Sequence, residues 1–355
     1  MSKPDLNCSF CGRPKPETQL LIAGLDAHIC DRCIIQAHGI TLRSPRTWMI
    51  KENSLNSRER ALRPGESISI SILGDYFALT KPRLLFIVLM STLIGYLLPA
   101  GSIINFTLFQ LIFGTALTGA GAHVLNQWQE RSQDARMMRT KQRPLPSGRL
   151  EPEEALIFGI ILSILGVSYL ALTINLITAV LGALTLGSYI FIYTPLKRVT
   201  WMNTWFGAVT GSLPPLMGWA AQTGQLDWKC VPIFLLLYFW QLPHFFAIAW
   251  MYRDDYRLGG FRMLSRDDQH GSRTAFHMLV NGVLLLISSL TFYFVEQGGL
   301  FFLLVAMMSG IGFLASIVGF MKERSVERAR MVFLVSIVYL PVLCTVMVID
   351  RIFII

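Results

Sequence analysis

Apolar stretches close to twenty residues long recur from about position 84 to the C-terminus, and they constrain the fold more than any other feature of the chain. A run of about twenty apolar residues spans a hydrocarbon core as a helix. Only helices and closed barrels satisfy their backbone in lipid, and these runs are too long and too continuous for barrel strands. The charged fraction, 15%, lies well below the roughly 25% of soluble domains. The expectation is an all-α polytopic membrane protein with nine transmembrane helices, near 84–104, 106–126, 155–174, 176–193, 203–222, 231–250, 274–296, 299–320 and 331–354. Pro214-Pro215 and Pro243 interrupt these runs, which is tolerated where neighbours or a cavity satisfy the backbone. Gly207, Gly211 and Gly218 allow close helix approach.

The net charge of +9 is a topology signal rather than a nucleic-acid signal. Loops after even-numbered spans hold 17 Lys and Arg: six in 127–154, two in 194–202, five in 251–273 and four in 321–330. The opposite side holds Lys229 and Arg351. The positive-inside rule then places the N-terminus in the cytoplasm and the C-terminus outside, in the inner (cytoplasmic) membrane. The first residues are polar and are not expected to be a secretory signal peptide.

Ahead of the spans, Cys8-x₂-Cys11 and Cys30-x₂-Cys33 form two knuckles eighteen residues apart. Four thiolates at this spacing can close a tetrahedron around Zn²⁺. Gly12 and Gly24 suit the turns, and Cys33 to His38 reads as a short helix leaving the second knuckle. So small a segment depends on its metal for stability. His28 and His38 are expected at the surface, and Cys230 and Cys344 as packing residues. The wording CSFCGRPKPETQLLIAGLDAHICDRCI resembles the N-terminal zinc-binding domain of the ClpX unfoldase, over about 7 to 38. That resemblance implies self-association or a protein partner, without a catalytic part. No G-x-x-x-x-G-K-[ST] loop occurs, so no ATPase follows it. The expected organisation is a zinc module at 1–40, a flexible linker at 41–75 and a membrane domain at 76–355.

Chemistry concentrates where polar residues meet the ends of spans. In NQWQERSQDARMMRTKQRPL, residues 126–145, Asn126, Glu130 and Asp134 are spaced by four. Each step advances about 40° around a helix, so the three share a face. Arg136, Arg139, Lys141 and Arg143 follow. Hard oxygen donors beside a cluster of cations suit a diphosphate held through Mg²⁺; the alternative is a solvated loop that only sets orientation. Tyr193, Lys197 and Arg198 stand at the same side, where phosphate binding and topology both remain open. So do Tyr252, Arg253, Asp254, Asp255 and Arg257, a second acidic cluster with adjacent bases. Two acidic clusters are more than the positive-inside rule requires. His244, after Pro243 in an apolar run, is either an interhelical hydrogen-bonding residue or a functional one.

Taken together these stretches resemble one family. N-x-x-x-E-R-x-x-D-x-x-M-x-R-T-K-x-R-P-L, Y-T-x-L-K-R with G-x-L-P-P-L-x-G-W-A-A, P-H-F-x-A-x-A-W and D-Y-x-x-x-G-x-x-M-L are similar to the haem O synthase branch of the UbiA-type intramembrane prenyltransferases, over about 75 to 355. The resemblance implies nine spans and transfer of a farnesyl group from farnesyl diphosphate to a vinyl group of haem b, with addition of water. It implies that Asn126, Glu130 and Asp134 hold Mg²⁺ and diphosphate, with Glu130 standing where Asp is usual. Arg139, Lys141, Arg143, Lys197 and Arg198 become the basic segments, with Tyr252 beside the substrate. Asp254 and Asp255 become the second acidic motif, with Asp255 a further magnesium ligand, although D-x-x-x-D is not clean here. His244 becomes a haem-pocket residue. Haem b, farnesyl diphosphate and membrane lipid are the implied partners, with no nucleic acid. Competing readings are a UbiA-type enzyme for another acceptor (a quinone precursor or chlorophyllide) and a membrane anchor presenting the zinc module to adaptors. A transporter fits poorly, since the ionisable residues gather at one face rather than the midplane.

Overall fold

The structure is a computed structural model that describes residues 8–9, 11, 21–23, 28–35, 68–100 and 105–353. The chain divides into two compact units, Met1–Glu66 and Ser67–Ile355. Gly12, Gly24, His38 and linker residues 41–67 lie outside the described residues.

In the first unit, β1 (Leu21–Ala23) pairs antiparallel with β2 (His28–Cys30), Leu21 opposite Cys30. A helical turn follows at 31–35, starting two residues ahead of the expected position.

The second unit is all-helical. It opens with α1 (Ile68–Leu79), so the last eight residues of the expected linker, 68–75, are helix instead. Then come α2 (Pro82–Ala100), α3 (Phe106–Asp134), α4 (Pro152–Thr173) and α5 (Leu176–Gly187). A π-helical turn, Ser188–Tyr193, carries α5 into α6 (Thr194–Val199). The remaining helices are α7 (Asn203–Gly211), α8 (Pro214–Thr223), α9 (Val231–Met251), α10 (Arg253–Leu258), α11 (Leu264–Asp267), α12 (Ser272–Phe294), α13 (Leu300–Lys322) and α14 (Val326–Phe353).

Among the described residues eight helices are long and apolar enough to cross a membrane. The fifth of the nine expected spans is the exception. It is two half-helices, α7 and α8, because Pro214 and Pro215 lack the amide hydrogens that would continue α7. The break is compact: the Ser212 hydroxyl turns back to the Ala208 carbonyl, and Gln241 of α9 donates to that same carbonyl.

Packing inverts the soluble pattern. On α4 the small residues Ala155, Gly159, Ser163 and Gly166 are buried, while Ile157, Ile161, Ile164 and Leu172 are exposed. Lipid is as apolar as leucine, so helices associate through small residues that let backbones approach. The same logic joins α2 to α8: a Cβ on Gly95 would run into the Pro215 carbonyl, and one on Gly218 into the Thr92 carbonyl. Of the other expected close-approach glycines, Gly207 lies against the Tyr193 ring and Gly211 against the Gln241 amide. Large aromatics, among them Phe246, Phe292, Phe313 and Tyr339, fill the interior between α9, α12, α13 and α14.

Candidate active site

The site grows from the last turns of α3, which run well past the expected end at 126. Asn126, Glu130 and Asp134 lie on one face and are almost wholly buried, at 1%, 4% and 1% exposure. Polar groups buried to that degree must find partners, and each of these three meets one cation from a different segment. Lys81 Nζ donates to Asn126 Oδ1 at 2.7 Å, Lys197 Nζ to Glu130 Oε1 at 2.8 Å, and Arg143 Nη1 to Asp134 Oδ2 at 2.6 Å. Asn126 Nδ2 donates in turn to Thr194 Oγ1 at 3.0 Å.

Local structure explains how these cations are aimed. Lys81 joins α1 to α2 at φ +50, a conformation a non-glycine residue adopts at a cost. Side chains from α3 hold this corner by taking up the free carbonyls at the end of α1. His123 Nδ1 donates to the Thr80 carbonyl at 2.8 Å, and Gln127 Nε2 to the Leu79 carbonyl at 2.8 Å. Burial first, then the neighbouring Arg143 charge, pull the Lys81 ammonium down to about 7. A cation held at such a desolvation cost gains most from an arriving anion. Lys197 follows the π-turn and lies 4.5 Å above the Tyr193 ring. Extra turns of this kind recur at functional sites.

Asn126, Glu130, Asp134, Arg139, Arg143, Lys197 and His244 line a single cavity of about 420 Å³, and Lys81 and His123 line it too. One end is ionic. The rest of the lining is largely apolar, including Trp240, Phe245, Ile248 and Leu340, with His244 among them. Arg139 is held at the rim by the faces of Tyr252 and Tyr256, at 5.1 and 5.5 Å.

The remaining expected residues are placed elsewhere. Asp255 accepts from the Met138 amide at 2.7 Å and the Arg139 amide at 3.4 Å, so its carboxylate ties down the loop that follows Asp134. Asp254 is exposed, and neither aspartate lines the cavity. Arg198 reaches the Gln129 carbonyl from outside, and Lys141 is exposed. Sequence reasoning missed Lys81 and His123. His123 lies one turn before Asn126 on the same face, so spacing carried that signal; Lys81 had none, since its direction is set by the turn between α1 and α2.

The donors of the α3 row are all oxygen, which suits Mg²⁺, and each already faces positive charge. In the first unit the four Sγ atoms of Cys8, Cys11, Cys30 and Cys33 lie within 4.8 Å of one another. The Cys8–Cys33 and Cys11–Cys30 separations are 3.9 and 3.6 Å. Zn–S bonds of about 2.3 Å on a tetrahedron require about 3.8 Å. The Cys30 amide donates to Cys8 Sγ at 3.3 Å. With thiol partners alone, the hydrogen bond to Cys11 and then burial hold Cys33 up at about 12.

Comparison with known proteins agrees with this geometry. Residues 88–338 match the UbiA prenyltransferase family, and residues 6–42 match the ClpX C4-type zinc finger. A protoheme IX farnesyltransferase from Solibacter usitatus is 44% identical over 78% of this chain and 98% of its own length. Another from Salinibacter ruber is 40% identical over 79% of this chain and 99% of its own. Among solved structures, a digeranylgeranylglyceryl phosphate synthase superposes with a TM-score of 0.68 at 20% identity, covering 79% of this chain and 99% of that one. A UbiA homologue from Archaeoglobus fulgidus bound to GPP and Mg²⁺ gives 0.59 at 13% identity, covering 77% and 99%. The chain therefore belongs to the UbiA prenyltransferase family and, within it, to the protoheme IX farnesyltransferases, with a ClpX-type zinc finger at its N-terminus.

Proposed function

We propose that this chain makes haem o, joining the farnesyl group of farnesyl diphosphate to a vinyl group of haem b with addition of water and release of diphosphate. The observation that carries the reading is the single cavity in which Asn126, Glu130 and Asp134 face Lys81, Lys197 and Arg143 and much of the remaining lining is apolar. A substrate with a charged head and a long isoprenoid tail has the same division.

Asn126, Glu130 and Asp134 would hold Mg²⁺, which when bound neutralises negative charge developing on the diphosphate. Lys81, Arg143, Lys197 and, from the rim, Arg139 take the phosphate oxygens and stabilise the same charge as the C–O bond lengthens. To do so, the first three leave partners they now hold. Asp255 acts indirectly, by fixing the Arg139 backbone. The apolar walls keep water from the allylic cation until the electron-rich vinyl carbon attacks it. Water then captures the cation left on the side chain and loses a proton.

The charge asymmetry of the loops supports an inner-membrane protein with a cytoplasmic N-terminus and the diphosphate end on that side. The four-cysteine cluster is a structural zinc site outside the chemistry, available for self-association or a protein partner. The purified chain, given farnesyl diphosphate, haem b and Mg²⁺, is expected to form haem o, detected by mass. Prenylation of a quinone precursor or chlorophyllide, with haem b untouched, would overturn the acceptor assignment.

A further inference from the structure

The reaction proposed above ends on a water molecule. Apolar walls that shield the allylic cation keep water out in general, so the molecule that takes part needs a holder of its own. Gln241 of α9 has the geometry of one. It is 6% exposed and lines the cavity.

Hydrogen bonding fixes which way its amide faces. Nε2 donates to the Leu237 carbonyl at 3.0 Å, to Ser212 Oγ at 3.3 Å and to the Ala208 carbonyl at 3.4 Å. Ser212 Oγ donates its own proton to the Ala208 carbonyl at 2.7 Å, so toward Gln241 it accepts. All three neighbours are therefore acceptors. Turning the amide over would set Oε1 against two carbonyl oxygens, and the NH₂ group must lie on this side. Oε1 lies against Gly211, where a Cβ would run into it. Among the described residues no donor reaches Oε1. A buried oxygen of this kind gains from any donor the cavity brings it.

The depth of this oxygen follows from α7. Gly207 and Gly211 both line the cavity and stand four residues apart, about 6 Å along the helix axis. Gly207 meets the Tyr193 ring, over which Lys197 Nζ lies at 4.5 Å. Gly211 meets Gln241. Oε1 is thus about one helical turn beyond a cation of the diphosphate grip, at the level where the carbon end of an anchored prenyl chain begins.

We propose that Oε1 of Gln241 holds the water that captures the second cation, the one left on the vinyl side chain. The proposal rests on the haem reading above and adds the residue that decides the fate of that cation. An amide oxygen only accepts, so it takes one hydrogen of the water and turns a lone pair into the cavity. The cation arises when the terminal vinyl carbon bonds to the prenyl carbon. The lone pair then forms a C–O bond, and the oxonium proton passes to the diphosphate released in the same cavity. Without a held water the cation instead loses a proton from the adjoining carbon to that diphosphate, and a C=C bond forms. The two products differ by one water: haem o in the first case, its dehydrated counterpart in the second.

The test gives the purified full chain farnesyl diphosphate, haem b and Mg²⁺ and reads both products by mass. The parent is expected to form haem o almost alone. Gln241→Leu removes the amide oxygen at similar volume. It is expected to lower the ratio of haem o to dehydrated product by about tenfold, the scale of one lost hydrogen bond. KM for farnesyl diphosphate should stay within about twofold, since the diphosphate grip is untouched. Gly211→Ala reaches the same oxygen from the other side. Its methyl group meets the Gln241 amide first, the end of a flexible side chain, and displaces it. The ratio should fall in the same direction, which answers the question if Gln241→Leu does not hold its fold. An unchanged ratio in folded Gln241→Leu, whatever its rate, or in its place in Gly211→Ala, overturns the assignment. A parent that forms neither product from haem b overturns the haem reading itself.

Discussion

Two places in this molecule gather donors that suit a divalent cation, and they surround those donors in opposite ways. Four thiols in the first unit gather on one another: Cys8 with Cys33 at 3.9 Å and Cys11 with Cys30 at 3.6 Å, with the Cys30 amide donating to Cys8. Along α3, each of three oxygen donors has a protein cation at 2.6 to 2.8 Å. The first arrangement suits a metal that enters once and stays, because four thiolates gathered this closely repel one another unless a cation lies between them. The second suits a metal that comes and goes with substrate, because lysine and arginine already balance the buried oxygen donors. A buried carboxylate without a counter-charge is expensive, so a site that must empty repeatedly needs partners on both sides of the exchange.

The strongest way to break this comparison is to remove one acceptor. Asp134→Ala is expected to lower kcat by about 10²- to 10³-fold, the scale of losing a group that stabilises transition-state charge, and to flatten the Mg²⁺ dependence; steady-state kinetics over a Mg²⁺ series checks both. Next comes Lys197→Met, which leaves Glu130 buried without its cation, at a cost of about 3–5 kcal/mol. Adding Glu130→Gln should return most of that stability in denaturant or thermal unfolding while turnover stays low, because the double variant repairs the pairing but not the diphosphate grip. Asp255→Ala is expected to act more gently. Freed of its hold on the Met138 and Arg139 amides, the loop should raise KM for farnesyl diphosphate roughly tenfold, about 1.4 kcal/mol, with a smaller change in kcat. A magnesium ligand at Asp255 would instead depress kcat as Asp134→Ala does. Smallest is the effect of Cys30→Ser on transfer. Zinc content should fall to background and the module should unfold, with haem o formation within about twofold of the parent; a large loss would tie the two units together functionally.

Much of this was legible in the sequence, for identifiable reasons. Membrane helices announce themselves by length and apolarity, so eight of nine expected spans appear as long apolar helices, the second and fourth running past their expected ends. The fifth is split because proline chemistry at 214 and 215 overrides an otherwise continuous apolar run. A period of four brought Asn126, Glu130 and Asp134 together correctly, since they share one helix. Asp254 and Asp255 could not be placed in the same way. Whether a carboxylate enters a cavity or caps a loop depends on where two segments over a hundred residues apart meet, and the Asp255–Met138 bond is such a meeting. Lys81 escaped notice because its direction comes from a backbone angle that periodicity does not encode.

That angle makes position 81 a point where foldability and catalysis ask for different residues. Glycine there would relax a left-handed turn ahead of Pro82 and remove the ammonium that faces Asn126. Lys81→Gly is therefore expected to yield a protein at least as robust to heat as its parent and much poorer at gripping diphosphate. Selection for durability alone would favour glycine at this corner, whereas the proposed grip on diphosphate requires the ammonium that lysine at φ +50 supplies.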